Sequence, residues 1–159
     1  MEGTRHQKKY AKTWLTAETL LAVILIMLFC FPRIARCGAQ NDPEAQAVMQ
    51  AATKYLDAEV RRDYPAVYAS FAPSSDYAQS NSYEQYLAEA QLAQQQVVKY
   101  RIIAITYIKK NENKLTFSAI DKIAEVEVDV TFLHTATRQQ SEINIGFIFL
   151  KEGGKWYKS

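Results

Sequence analysis

The stretch AEVEVDVTF, Ala124–Phe132, decides the fold. Its apolar residues stand on even numbers (Ala124, Val126, Val128, Val130, Phe132), and Glu125, Glu127, Asp129 and Thr131 stand between them. A period of two is that of a strand with one face in a core and the other towards water. Just upstream the parity is odd: Leu115, Phe117 and Ala119 alternate with Thr116 and Ser118. A strand changes face only by spending a residue, so the sequence predicts a bulge or bend near Ile120–Ile123. Before that run, VVKYRIIAITYIKK (Val97–Lys110) has strand composition, and Asn111-Glu112-Asn113 is a polar break of hairpin length. After it, Thr135–Ser141 is a polar connection, and EINIGFIFL (Glu142–Leu150) places Ile143, Ile145, Phe147 and Phe149 on one face and Ile148 and Leu150 on the other. Gly153-Gly154 is a tight turn, and Lys155–Lys158 a short return strand. No room is left for crossover helices, so four antiparallel strands are predicted.

Upstream, Asn41-Asp42-Pro43-Glu44 is a helix start, with Asp42 as cap and Pro43 in the first turn. Ala45, Val48, Met49, Ala52, Tyr55, Leu56 and Val60 follow at helical spacing. Asp63 can cap a second short helix carrying Tyr64, Val67, Tyr68 and Phe71, which ends before Pro73. Asp76–Asn81 reads as loop. Ser82 and Gln85 form a capping box for a helix that continues through Tyr86, Leu87, Ala90 and Ala93 towards Gln94–Gln96.

The chain has 159 residues, 48% of them hydrophobic, enough for one domain and a leader. Residues 1–39 hold 6 Lys and Arg against 2 acids; the remainder holds 13 against 15, so the basic character belongs to the leader. The domain lacks the basic surface that nucleic-acid binding needs. Arg5, Lys8, Lys9 and Lys12 precede the apolar run Leu20–Phe31. This reads as a signal-peptide core, with Cys37-Gly38-Ala39 offering a cleavage site, or as an uncleaved anchor spanning residues 14–35. Ile34-Ala35-Arg36-Cys37 also resembles a lipobox, with Arg36 where a small residue is usual. In each case the positive-inside bias places the C-terminal domain outside the cytoplasm, in the periplasm or cell envelope. Both cysteines, Cys30 and Cys37, lie before residue 40, so the domain has no thiol nucleophile and no Cys-based metal site.

The segments KYLDAEVRRDYPAVYASFAPS (Lys54–Ser74), SYEQYLAE (Ser82–Glu89), AEVEVDVTF and LKEGGKWYKS (Leu150–Ser159) resemble the nuclear transport factor 2-like superfamily, which includes ketosteroid-isomerase-like and polyketide-cyclase-like proteins and small secreted bacterial domains. The resemblance implies an α+β cone over residues 40–159, with two or three helices packed on a curved four-stranded antiparallel sheet and a pocket between them, often in a dimer. Members of the superfamily are enzymes, ligand binders or protein-binding modules, and the fold does not choose among them.

An isomerase-like site would need a carboxylate base in the cone; Asp57 and Asp63 are the acids weighed for it, against a plain solvated role. His134 ends its strand and reads as a surface histidine, and no metal or cofactor is implied. Glu125, Glu127 and Asp129 read as an exposed ladder that discourages sheet-to-sheet pairing. The aromatics suggest more. Tyr55, Tyr68 and Tyr86 on helices can face Tyr107, Phe132 and Trp156 on strands, and could line an amphipathic pocket for a small organic ligand. The convex sheet face carries apolar residues that a second copy or a partner protein could cover. The expected function is an exported or membrane-tethered binding domain. A small isomerase- or cyclase-like enzyme, and a single-pass subunit of an envelope assembly, are the alternatives.

Overall fold

A computed structural model describes residues 42–159; the expectations for the leader, residues 1–39, lie outside the described residues. Helix α1 (Pro43–Arg61) starts on Asp42, whose carboxylate accepts from the Glu44 amide at 2.9 Å. It stops where Arg62 turns left-handed. Helices α2 (Tyr64–Tyr68), α3 (Asp76–Ser80) and α4 (Tyr83–Leu92) follow, then β1 (Gln95–Lys110), β2 (Ile120–His134), β3 (Gln140–Glu152) and β4 (Lys155–Lys158). The strands form one antiparallel meander in the order β1-β2-β3-β4. Among the described residues no helix is long and apolar enough to cross a membrane.

Helix α1 packs on β1 at one edge of the sheet and on β4 at the other, so the sheet must curl around it. The curl has a source in β1. Register shifts between Val97 and Lys99, Ile102 and Ala104, and Ile105 and Tyr107 each insert a residue and bend the strand. Val97, Tyr100, Ile102, Ile105 and Ile108 therefore share the concave face with β2's Phe132, Val130, Val128, Val126 and Ala124. The concave side of α1 contributes Val48, Ala52, Tyr55 and Leu56 to the same core. The result is an α+β cone, with the bulge expected near Ile120–Ile123 present as a register shift between Ile120 and Lys122.

Several local expectations need correcting. Leu115, Phe117 and Ala119 are not in a strand. They belong to the loop between β1 and β2, because the buried Asn111 side chain donates to the carbonyls of Phe117 (2.8 Å) and Ile120 (3.0 Å) and closes the segment on itself. Asp76–Ser80 is a helical turn rather than loop, capped by Ser75, which accepts from the Ala78 amide at 3.2 Å. Helix α4 ends at Leu92, and Gln95 and Gln96 join β1 by pairing with His134 and Leu133. On α1, Ala58 is buried and Val60 is exposed. Phe71 leaves its helix and bridges to Lys158, with Ala72 donating to the Lys158 carbonyl and Lys158 to that of Ser70, both at 2.7 Å. That detour also covers part of the convex face. Leu150 is buried beside Ala72 and Ile120, with Ile123, Ile148 and Tyr157 packed around them. The rest of that face is mixed, with Arg101 paired to Asp129 at 2.5 Å and Asn144 donating to Asp129 at 2.8 Å.

The capping box at α4 is complete: Ser82 accepts from the Gln85 amide, and the Gln85 side chain accepts from the Ser82 amide at 2.7 Å. Tyr86 is the one residue of α4 that is buried, so the helix leans on its cap. Replacing Ser82 with alanine is expected to cost about 1 kcal/mol in urea denaturation, and Glu84→Ala, which leaves the box intact, clearly less.

Candidate functional site

The site begins with the spacing of α1. Ala52, Tyr55, Leu56 and Glu59 fall on one helical face at intervals of three and four, so a carboxylate is carried into the cone by the stripe that builds its core. Tyr55 donates its hydroxyl to Glu59 Oε1 at 2.7 Å. Burial raises the Glu59 carboxyl above the usual range, and the Tyr55 bond and the Lys158 ammonium draw it partly back. Lys158, on the concave face of β4, shows the converse. Burial lowers its ammonium, Glu59 opposes the shift, and its Nζ lies 5.8 Å from the centre of the Phe147 ring. A carboxyl and an ammonium thus stand near one another, both half-buried, without a direct ion pair; Lys158 Nζ donates instead to the Ser159 carbonyl.

Glu59 lines a cavity of about 400 Å³ between α1, α4 and the concave face. Tyr55, Tyr86, Phe132, Ile145 and Phe147 make its apolar wall, while Arg62, Tyr64, Tyr77 and Glu89 add polar groups. The aromatic wall is braced by edge contacts, Tyr55 to Phe147 at 5.9 Å and Phe71 to Tyr86 at 6.0 Å. The neighbouring hydroxyls are engaged. Tyr68 donates to the Asn81 carbonyl at 2.7 Å, Tyr77 to Glu89 at 2.8 Å, and Tyr64 accepts from Arg62 Nε at 2.9 Å. Burial and the Glu89 bond push the Tyr77 hydroxyl up to about 12. Tyr86 differs: its hydroxyl has no hydrogen-bond partner among the described residues, though the ring is only 8% exposed. No sealed side-chain polar atom in the described fold lacks a partner, so this hydroxyl reaches open space, and the space beside it is the cavity. Burial raises it, and the Glu59 charge raises it further. The cavity therefore offers an acceptor, Glu59, and a free donor, Tyr86, within an aromatic wall.

Of the residues expected to line a ligand pocket, Tyr55, Tyr86 and Phe132 meet at this cavity. Tyr68 stands behind the wall, its ring 5.6 Å from that of Tyr86. Trp156 lines a separate cavity of about 370 Å³ beside Ala47, Gln50, Lys54 and Ser70. Tyr107 is on the other side of the sheet, because the bulge after Ile105 turns it outward opposite Glu125. Neither acid weighed as a base enters the cavity. Asp57 accepts from the Tyr100 hydroxyl at 2.7 Å and lines an outer groove of α1 with Lys54 and Arg61; Asp63 caps α2. Glu59 was missed. The one signal in the sequence was its position four residues after Tyr55, at the edge of the apolar stripe. His134 sits at the end of β2, its Nε2 3.5 Å from the Gln95 amide nitrogen. No group of three or more His, Cys, Asp or Glu among the described residues could hold a metal ion.

No protein-family model matches the chain, and no curated protein matches its sequence. Among solved structures it is similar to a ketosteroid isomerase-like protein from Erwinia carotovora atroseptica, at 18% identity and a TM-score of 0.48, over 74% of this chain and 92% of that one. It is also similar to Aln2 from a Streptomyces species, at 12% identity and a TM-score of 0.47, over 73% of this chain and 86% of that one. These likenesses concern the path of the chain alone.

Proposed function

We propose that the chain is an exported or membrane-tethered domain that binds a small, mostly apolar organic molecule in its cone, through Glu59 and the Tyr86 hydroxyl. The observation that carries this reading is the free Tyr86 donor beside a raised carboxyl in an aromatic cavity of about 400 Å³. A cavity of that size suits a ligand of one or two fused rings. Placement outside the cytoplasm is supported by Arg5, Lys8, Lys9 and Lys12 ahead of the Leu20–Phe31 run. A fluorescence titration with 2-naphthol, a flat ring system with one hydroxyl, tests the reading. Saturable binding is expected, weakened about tenfold by Glu59→Ala, the equivalent of one lost hydrogen bond at about 1.4 kcal/mol. Ala90→Trp, which fills the cavity from α4, should abolish it. Binding that ignores both substitutions would refute the reading.

The raised Glu59 carboxyl favours a second reading, a proton-transfer enzyme in which that group shuttles a proton beside a carbonyl. Deuterium exchange at the α-carbons of 2-tetralone distinguishes the two. Exchange by the native chain that disappears in Glu59→Gln, with binding kept, selects the enzyme; binding without exchange selects the binding domain.

A further inference from the structure

We propose that the tip of the β1–β2 hairpin docks into the interfacial zone of an anionic bilayer. The tip holds the most exposed apolar side chains at this end of the fold: Leu115 is wholly exposed and Phe117 is 48% exposed. They are held there by an ordered loop. Asn111, only 8% exposed, donates to the Phe117 and Ile120 carbonyls and accepts from the Asn113 amide at 2.9 Å, while the Phe117 amide donates to Asn113 at 3.0 Å. A buried polar side chain whose bonds all serve to fix this loop keeps two apolar groups in water.

The charges beside the tip name the occupant. Lys109 and Lys110 end β1 immediately before the loop, and neither forms an ion pair among the described residues. Lys114 answers Asp121, at the start of β2, at 2.9 Å, and Glu112 is the one other charge in the loop, so the two strand-end lysines give this end of the hairpin an excess of positive charge. Lys109 Nζ rests 4.9 Å from the centre of the Tyr107 ring, a contact that leaves its charge uncancelled. Apolar side chains at a tip with net positive charge behind them match an acyl boundary beneath anionic headgroups. The connectivity agrees. Glu44, in the first turn of α1, bonds to Lys122 at 2.8 Å, and Lys122 pairs with Lys110 at the base of the hairpin. The chain therefore joins the described fold at the end that carries the tip. This inference shares the leader with the function proposed above and is independent of the cavity.

The test uses the full 159-residue chain, with Cys30 and Cys37 replaced by serine and a single cysteine, Leu115→Cys, carrying an environment-sensitive nitrobenzoxadiazole dye. A matched sample carries the dye at Leu92→Cys, 81% exposed and near the far end of β1. Each is mixed with phosphatidylglycerol–phosphatidylcholine vesicles, and the vesicle-bound fraction is collected by flotation. The expected result is a several-fold rise and a blue shift at position 115, quenched by brominated acyl chains, with no change at position 92. Lys109→Glu with Lys110→Glu should remove the rise. A label at 115 that stays as wet as the one at 92, absence of the protein from the floated fraction, or a signal indifferent to the lysine changes would each overturn the proposal.

Discussion

Phe149→Ala is expected to destabilise the domain by about 3–5 kcal/mol and lower its Tm by on the order of 10–20 °C. Phe149 is 1% exposed on the concave face of β3, opposite Ala124 on β2 and Lys158 on β4. Ala124, itself fully buried, is too small to relax into the vacated space. The cost therefore combines lost transfer energy with an unfilled hole. Total stability is about 5–15 kcal/mol for a domain, so this one change removes a large share of it. The contrast is Leu115→Ala, where an equally apolar side chain is wholly exposed and the change should stay within about 0.5 kcal/mol. Chemical denaturation of the two variants checks the placement of core and surface; equal losses would contradict it.

The second large effect is at Glu44. Its carboxylate accepts from Lys122 at 2.8 Å, Lys151 at 2.7 Å and the Trp156 indole at 3.0 Å, so one side chain in the first turn of α1 ties the helix to β2, β3 and β4. The hydrogen bonds from Lys122 and then Lys151 hold the carboxyl down to about 2, against a partial opposing effect of burial. Glu44→Gln removes the charge that two half-buried ammonium groups share, and is expected to cost about 2–4 kcal/mol at pH 7. Because the folded value lies below the unfolded one, near 4.3, the contribution is complete above that value and is lost as pH falls towards 2. The native chain should therefore lose stability steeply across this window, and Glu44→Gln should flatten the slope. An unchanged slope in denaturation series at pH 5, 4, 3 and 2.5 would contradict the account.

Features governed by near neighbours were readable from the chain. The Asp42–Pro43 start, the Ser82–Gln85 box, the Gly153-Gly154 turn and the bulge near Ile120–Ile123 each depend on a few adjacent residues, and each is present. Gly153 and Gly154 adopt φ of 53° and 82°, backbone that other residues rarely take. What stayed hidden depends on pairing between distant segments. The inward residues of β1 are spaced by two or three according to where β2 forces bulges, so strict alternation misplaced Tyr107. Leu115-Thr116-Phe117 alternates like a strand but has no partner strand, and Asn111 takes its carbonyls instead. At the site, the tyrosine cluster was legible as a set of rings. Glu59 was not, because an acid on a helix reads as solvated until the fold places Lys158 and Phe147 across from the same turn.

The most direct test is a crystal structure of the domain grown with 2-naphthol. Ring density is expected between Tyr86, Phe132 and Phe147, with the ligand hydroxyl within hydrogen-bond distance of Glu59. Rings of Tyr86 and Phe147 closed on each other across that space, with no density between them and Glu59 turned out to solvent, would contradict it.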